Sequence, residues 1–244
     1  MLKLTALFNK LERKQIVGFV FSLLALAYLI NEAIEGGDFC YYLSESQRLL
    51  HKLNIYNPDN NLGYRYGYAP TLAFVFIPFS FLPYTLANFI WLLCNVFFLY
   101  RIFFLFQIFL PIRGEKRVKF LILVFLILMQ FRFILYNFGT QQITIFLMYS
   151  VLESIYLFSK NRHFAGALLL GLGIVIKYMP LVILPYLLYR KDLRGFLFSI
   201  ISCAFWLLLP IVFFDMEYYG FLLKEWINSF TLRPGEEIKI YAAG

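Results

Sequence analysis

Charged side chains are scarce in this sequence: they make up 15% of its 244 residues, against about 25% in an ordinary soluble domain. Apolar residues take their place, at 61% of the chain, with 30 Phe and 18 Tyr among them. A single water-facing core of this size cannot bury that much apolar surface, so the remainder must face lipid. The composition therefore excludes a soluble globular protein and a disordered chain. It predicts an all-α polytopic membrane protein.

Cysteine is also rare. The three cysteines, Cys40, Cys94 and Cys203, lie far apart, and two of them fall within apolar runs. An odd number at this spacing indicates neither a disulfide framework nor a metal cluster, so we expect no metal ion and no cofactor. Glycine- and serine-rich linkers and sustained heptads are absent as well, and residues 1–244 are therefore interpreted as a single integral membrane domain.

Long apolar runs mark the expected membrane spans, each long enough or nearly so to cross about 30 Å of hydrocarbon as a helix. One run is interrupted by Lys177 and, three residues later, Pro180, a combination that is costly in mid-bilayer. We expect this run to form two short crossings that meet at the far surface, which makes about seven transmembrane helices. Residues 69–82 form only about half a span, bounded by prolines, and are predicted to be interfacial or re-entrant. The runs are Ile16–Asn31, Tyr84–Leu110, Val118–Tyr136, Gln141–Ser159, Phe164–Tyr189 and Gly195–Phe214.

The basic residues indicate an orientation. Thirteen of the 22 Lys and Arg residues fall on one side of this arrangement, whereas the other side, residues 32–68 and 215–244, has six of them and ten of the 14 acids. By the positive-inside rule the amino terminus is cytoplasmic and these two segments are external. The net charge of +8 is interpreted as orientation, and no nucleic-acid partner is expected. The thirteen are Lys3, Lys10, Arg13, Lys14, Arg113, Lys116, Arg117, Lys119, Lys160, Arg162, Arg190, Lys191 and Arg194.

The first span has a second interpretation. Residues 25–27, Ala-Leu-Ala, follow a basic start and look like the peptidase site of a secretory signal. The apolar run continues through Ile30, which favours a span that is retained.

Polar chemistry is concentrated in the external loop of 37 residues at 32–68, which is too long for a mere connection. Within it, Asp38 follows the pair Gly36-Gly37, which allows a sharp turn, and precedes a helical-looking stretch at residues 41–53. The spacing alone favours a solvated acid or a helix cap over a catalytic carboxylate. A catalytic role needs further support.

That support comes from an ordered set of short motifs. They are Gly37-Asp38-Phe39-x-x-Tyr42, Asn54-x-Tyr56-Asn57, Tyr66-x-Tyr68-x-Pro70, Pro78 to Pro83, Trp91-x-x-x-Asn95, and the glycine-rich run from Ala165 to Lys177-x-x-Pro180. No single motif is specific, but the ordered set, over about residues 37–194, resembles glycosyltransferase family 87.

The resemblance implies a fold, an activity and partners. Members of the family are polyprenol-phosphate-mannose-dependent mannosyltransferases of the C-type membrane fold. This chain would accordingly transfer a hexose, most simply mannose, from a polyprenyl-phosphate donor to a glycolipid or glycan acceptor at the outer face of the plasma membrane, with inversion. In the C-type enzymes a carboxylate just after the first span is the general base, which here is Asp38.

Other site residues are expected with open alternatives. Lys177 would bind the donor phosphate, although a lysine at a span end also snorkels to the headgroups; Arg65 would assist it, or act as an interfacial anchor. Tyr66 and Tyr68 would contact substrate, although tyrosines near a membrane surface usually form an aromatic belt. Family members often have Gly-Gln where this chain has Thr140-Gln141-Gln142, so only Gln141 is assigned to substrate binding.

The length of the chain and two alternative functions stay open. The chain ends at Gly244 while the family continues through several more spans, so we expect a C-terminally truncated form.

A lipid or small-molecule transporter could use the broken run at residues 164–189 as a substrate site, but a transporter predicts inverted repeats that the sequence does not show. A structural subunit would leave the polar first loop without a purpose. An enzyme alone requires Asp38 and Lys177 to share one site.

Overall fold

Helices account for every regular element in residues 13–57, 66–109 and 116–231, which the computed structural model describes. The all-α class is therefore confirmed for this part of the chain. Two short 3₁₀ turns, Met179–Val182 and Leu209–Val212, accompany the α-helices there. The α-helices in these ranges are α1 (Arg13–Glu35), α2 (Phe39–Leu50), α3 (Pro70–Ser80), α4 (Tyr84–Phe109), α5 (Lys116–Thr140), α6 (Thr144–Ser159), α7 (His163–Ile176), α8 (Ile183–Tyr189), α9 (Leu193–Leu208) and α10 (Met216–Thr231).

Among the residues that the structure describes, three helices are long and apolar enough to cross a membrane on their own: Gln15–Glu35, Tyr84–Phe109 and Leu193–Val212. A fourth span results if Phe120–Leu126 and Leu128–Thr140, which meet at a bend of 43°, are taken together. The remaining apolar helices, α3, α6, α7 and Met179–Tyr189, are shorter than a typical span. The described part of the chain thus has three or four membrane-capable helices, and the predicted total of seven is not confirmed.

The predicted break in the apolar run at 164–189 is present. Helix α7 ends at Ile176, Lys177 adopts an extended backbone (φ −152°, ψ 128°), and a 3₁₀ turn containing Pro180 leads into α8. Proline ends the hydrogen-bond ladder because it has no N–H to donate. Nδ1 of His163, at the start of α7, lies 3.3 Å from Oδ1 of Asp192, which caps α9. The chain therefore runs out along α7 and returns to the same end of the bundle.

Helix α7 packs closely against both α6 and α9, because its glycines face these two helices. A Cβ atom at Gly171 would lie 2.7 Å from Cβ of Ser202, and one at Gly173 would lie 3.2 Å from Cβ of Ser150. Small residues at these positions allow the helix backbones to approach, as is common between membrane helices. This packing fixes the end of α7, and with it the position of Lys177.

A large aromatic cluster joins the short helices α2, α3 and α10 to the long helix α4. Trp91 of α4 stacks on Phe39 of α2 at a centroid distance of 6.2 Å and meets Phe76 of α3 edge-on at 5.1 Å. Tyr219 of α10 is buried in the same cluster. Helix α3 has eleven residues and would extend over about 16 Å, so it is half a span in length, as predicted for residues 69–82. Whether that segment is interfacial or re-entrant stays a prediction.

Candidate functional site

A sharp turn between α1 and α2 positions Asp38. Gly36 has φ +79°, a conformation that residues with a Cβ atom rarely adopt. Gly37 lies against the end of α5, where an added Cβ atom would be 2.7 Å from the carbonyl oxygen of Thr140. The backbone N–H of Asp38 donates a hydrogen bond to that same oxygen over 2.8 Å. The expected Gly-Gly turn is thus present, and it anchors Asp38 to a helix that is distant in sequence.

The carboxylate of Asp38 is not used to cap a helix. Asp38 occupies the N-cap position of α2, but its side chain makes no capping hydrogen bond there. The side chain is half-buried, and the side chain of Gln142 is one of the groups that lower the pKa of its carboxyl group. The simple explanations of this acid, a helix cap or a fully solvated residue, therefore do not describe its position.

Three influences act on the ionisation of Asp38. Burial raises the pKa of its carboxyl group, while the hydrogen bond from Gln142 and the positive charge of Lys177 lower it. Burial is the largest of these, so the pKa lies above the ordinary value of 3.8. A raised pKa makes a carboxylate a stronger base at the pH where it operates.

Lys177 belongs to the same cluster. Its Nζ lies 5.6 Å from the centroid of the Tyr68 ring, within the range of a cation–π interaction, and its side chain is half-buried. The hydroxyl groups of Tyr68 and Tyr42 are 3.3 Å apart. Burial raises the pKa of Tyr68, and the charge of Asp38 adds to this effect. The structure thus brings Asp38, Tyr68 and Lys177 together around neutral phenol groups.

Tyr66 and Tyr68 occupy different environments although they are two residues apart. Tyr66 is 5% exposed, and its ring packs against those of Tyr56 and Tyr68 at centroid distances of 5.8 and 5.7 Å. The Tyr56 hydroxyl donates to the carbonyl oxygen of Tyr68 over 2.8 Å. An exposed aromatic belt does not describe Tyr66, which supports Tyr68 from within the protein. A direct substrate contact by either tyrosine stays a prediction.

Gln141 is completely buried and adopts a left-handed backbone with φ +56°. Its Nε2 donates to the carbonyl oxygen of Glu32 over 2.7 Å, and its own carbonyl oxygen accepts from Nε1 of Trp91 over 3.2 Å. These bonds tie the α5–α6 turn to α1 and α4. The substrate-binding role assigned to Gln141 stays a prediction, and it is the neighbouring Gln142 whose side chain lowers the pKa of Asp38.

Sequence reasoning quoted Gln142 and Tyr42 within motifs but assigned neither of them to the site. Tyr42 could have been found from its spacing, because residues four apart on a helix lie on the same face and Tyr42 follows Asp38 at that interval. No pattern distinguishes the two adjacent glutamines in advance, since only the left-handed turn decides which of them is buried.

The remaining expectations for the site concern Arg65 and a metal. Arg65, the expected second phosphate ligand, lies outside the described residues. Within residues 13–57, 66–109 and 116–231, no group of three or more His, Cys, Asp or Glu residues is arranged to hold a metal ion.

Comparison with known proteins bears on the activity. The family model for glycosyltransferase family 87 matches residues 66–235. The matched range contains Tyr68, Gln142 and Lys177, whereas Asp38 precedes it. Neither a curated protein nor a solved structure matches the chain. Because the matched range covers well over half of its residues, this chain belongs to glycosyltransferase family 87.

Proposed function

We propose that this protein is a C-type membrane glycosyltransferase that transfers mannose or a similar hexose from a polyprenyl-phosphate donor to a hydroxyl group of a glycolipid or glycan acceptor. Family membership supports the transfer of a sugar. The long apolar helices support a location in the membrane. The distribution of Lys and Arg supports a cytoplasmic amino terminus, about seven crossings and a reaction at the outer face.

The observation that carries the proposal is that Asp38 and Lys177 lie on the same pair of tyrosines. Nζ of Lys177 is 5.6 Å from the centroid of the Tyr68 ring, the Tyr68 hydroxyl is 3.3 Å from that of Tyr42, and the backbone N–H of Tyr42 donates to the carbonyl oxygen of Asp38 over 3.3 Å. In sugar transfer the base and the group that stabilises the leaving phosphate act at the two ends of one reacting centre. A transporter does not require such a pair, so the proximity favours the enzyme.

In the proposed reaction Asp38 removes the proton from the acceptor hydroxyl as that oxygen attacks the anomeric carbon. The bond from the anomeric carbon to the phosphate oxygen breaks, and both of its electrons leave with the lipid phosphate. Attack from the face opposite the leaving group inverts the anomeric configuration. A positioned carboxylate of this kind accelerates transfer by roughly 10² to 10⁴.

Lys177 stabilises the negative charge that develops on the departing phosphate, because a fixed cation in a partly water-excluded site needs little reorganisation. The ring of Tyr68 beneath its ammonium group restricts where that charge lies. Arg65 is retained as a second phosphate ligand. Tyr66, Tyr68 and Gln141 are retained as substrate contacts.

The test is transfer of label from radiolabelled polyprenyl-phosphate mannose in membranes that contain the full chain. Wild type is compared with Asp38→Asn and with a control, Asp215→Asn, which makes the same chemical change at an exposed acid paired with Lys52. We expect a labelled product from wild type and control and none from Asp38→Asn, with equal protein in the membrane, because the Asp38 side chain caps no helix. Product from Asp38→Asn at the wild-type rate would refute the role of the base. Absence of product from wild type would refute this donor.

A further inference from the structure

The helices α6 and α8 end in the same kind of turn. The left-handed residue of the first turn is Asn161, with φ +57°, and that of the second is Lys191, with φ +59°. In each turn the N–H of the next residue donates to a carbonyl oxygen five residues back over 2.9 Å. This combination is the Schellman motif, and it turns the chain sharply into the next helix, α7 or α9.

The two turns lie beside each other. Nδ1 of His163, which follows the first turn, is 3.3 Å from Oδ1 of Asp192 in the second, and the His163 ring stacks on that of Phe158 at a centroid distance of 6.2 Å. Helix α7 has 14 residues, so it separates these turns from Lys177 at its other end by about 21 Å. The paired turns therefore form one surface at the end of the bundle that lies away from the candidate site.

This surface, called the basic surface below, has a large excess of positive charge. Residues 144–208 contain only two acids, Glu153 and Asp192. Glu153 is paired with Arg101, and the carboxylate of Asp192 accepts the N–H of Gly195 over 2.9 Å. The exposed cations of the basic surface are Lys160, Arg162, Arg190, Lys191 and Arg194.

Helix stability does not account for all of these cations. Arg162 is the N-cap residue of α7 and makes no capping hydrogen bond with its side chain, and Arg194 lies in the first turn of α9. The N-terminus is the positive end of a helix dipole, so a cation is unfavourable there. Lys191 occupies the left-handed position at which glycine is the usual residue. A bound anion would offset the repulsion among these side chains.

Apolar side chains flank the cations. Tyr189 is 84% exposed, Phe164 72% and Leu193 60%, and each is next to or within two residues of a cation of the basic surface. Aromatic rings beside Lys and Arg are typical of the boundary between lipid headgroups and acyl chains. A soluble anion would leave this apolar surface in water, whereas a lipid covers it.

We propose that the basic surface binds the phosphate headgroup of an anionic phospholipid, with Phe164, Tyr189 and Leu193 against its acyl chains. This binding goes beyond sugar transfer and does not depend on it. Clustered cations between membrane helices hold lipid phosphates more strongly than scattered ones, because several act on the same charge. Orientation of the chain in the membrane requires only that Lys and Arg lie in the loops, and it does not require two turns to bring them together.

The test measures lipid binding to the purified full chain in a neutral detergent by native mass spectrometry. The probes are dioleoylphosphatidylglycerol and dioleoylphosphatidylcholine, which have the same chains and differ in headgroup charge. We expect wild type to bind the anionic lipid at least about 10-fold more tightly. The double variant Lys160→Gln/Lys191→Gln removes one cation from each turn. It should weaken binding of the anionic lipid by roughly 10- to 30-fold and leave that of the neutral lipid unchanged.

The matched control is Lys52→Gln/Lys224→Gln, which removes two exposed lysines from other elements. Lys52 has φ +54°, so it also matches the left-handed backbone of Lys191. This control and Lys160→Arg/Lys191→Arg, which keeps both charges, should bind the anionic lipid as wild type does.

Two results would overturn the proposal. One is equal affinity of wild type for the two lipids, a comparison that needs no variant to fold. The other is unchanged binding of the anionic lipid in Lys160→Gln/Lys191→Gln. Glycerol phosphate, which is the headgroup without chains, should not displace the lipid. Displacement at equal concentration would show a site for free phosphate and refute the lipid as occupant.

Discussion

Gly37 lies against the carbonyl group of Thr140, so close that a Cβ atom at residue 37 would be 2.7 Å from the oxygen. That oxygen also accepts the hydrogen bond from the backbone N–H of Asp38. The position of the candidate base therefore depends on direct backbone contact between the α1–α2 turn and the end of α5.

We expect Gly37→Ala to lower both transfer activity and thermal stability. The new methyl group must push the turn away from Thr140, and overpacking of this kind costs about 1 to 3 kcal/mol. Melting of the detergent-solubilised protein and the labelled-product assay measure the two effects. Gly220→Ala is the control, since nothing lies within 4 Å of a Cβ atom there. Wild-type melting and activity in Gly37→Ala would show that the contact is not needed.

Asp38 should make the fold less stable as the pH rises. Its pKa is raised in the folded protein, so between the ordinary value of 3.8 and the raised value the folded state binds more protons than the unfolded state. Stability then falls as the pH rises through this interval and stays lower above it. We expect Asp38→Asn to melt at a higher temperature than wild type at neutral pH and at an equal temperature near pH 3. Equal melting at both pH values would contradict the raised pKa.

Removing the charge of Lys177 should affect two measurements at once. Lys177 lowers the pKa of Asp38, so in Lys177→Met the acid limb of the pH–rate profile should move to higher pH. The rate should also fall at every pH, because the leaving phosphate loses its cation. Lys177→Arg keeps the charge and should retain the wild-type acid limb. A pH profile that is the same in all three proteins would separate Lys177 from the base.

The ion pair of Arg101 and Glu153 joins α4 to α6. Nη2 of Arg101 donates to Oε1 of Glu153 over 2.7 Å and to Oε2 over 2.8 Å. Glu153 is only 7% exposed. Glu153→Leu leaves the charge of Arg101 without this partner, so it should destabilise the fold. Adding Arg101→Met should restore much of that loss, since an apolar pair of similar size is often as stable as a buried ion pair. Melting temperatures of the single and double variants give the coupling, and additive losses would contradict it.

Some of the fold was predictable because its signals are local. Long apolar stretches predict helices wherever the chain must satisfy its own backbone hydrogen bonds in lipid, and α1 and α4 were expected within a few residues of their bounds. The break after Ile176 was also predicted from a local signal, because Pro180 has no N–H to donate and therefore ends a helix. The number of crossings was not predictable in this way, because α6 and α7 fall short of a full span.

The composition, the positions of the apolar runs, the Gly-Gly turn and the family motifs were sufficient to determine an all-α membrane protein of glycosyltransferase family 87 and to select Asp38 and Lys177 as candidates. Only the tertiary structure decided that Asp38 and Lys177 both lie against the Tyr42–Tyr68 pair, and that Tyr66 and Gln141 are buried. The physical reason is that these contacts join helices distant in sequence, and their geometry depends on how closely the glycine-bearing backbones approach.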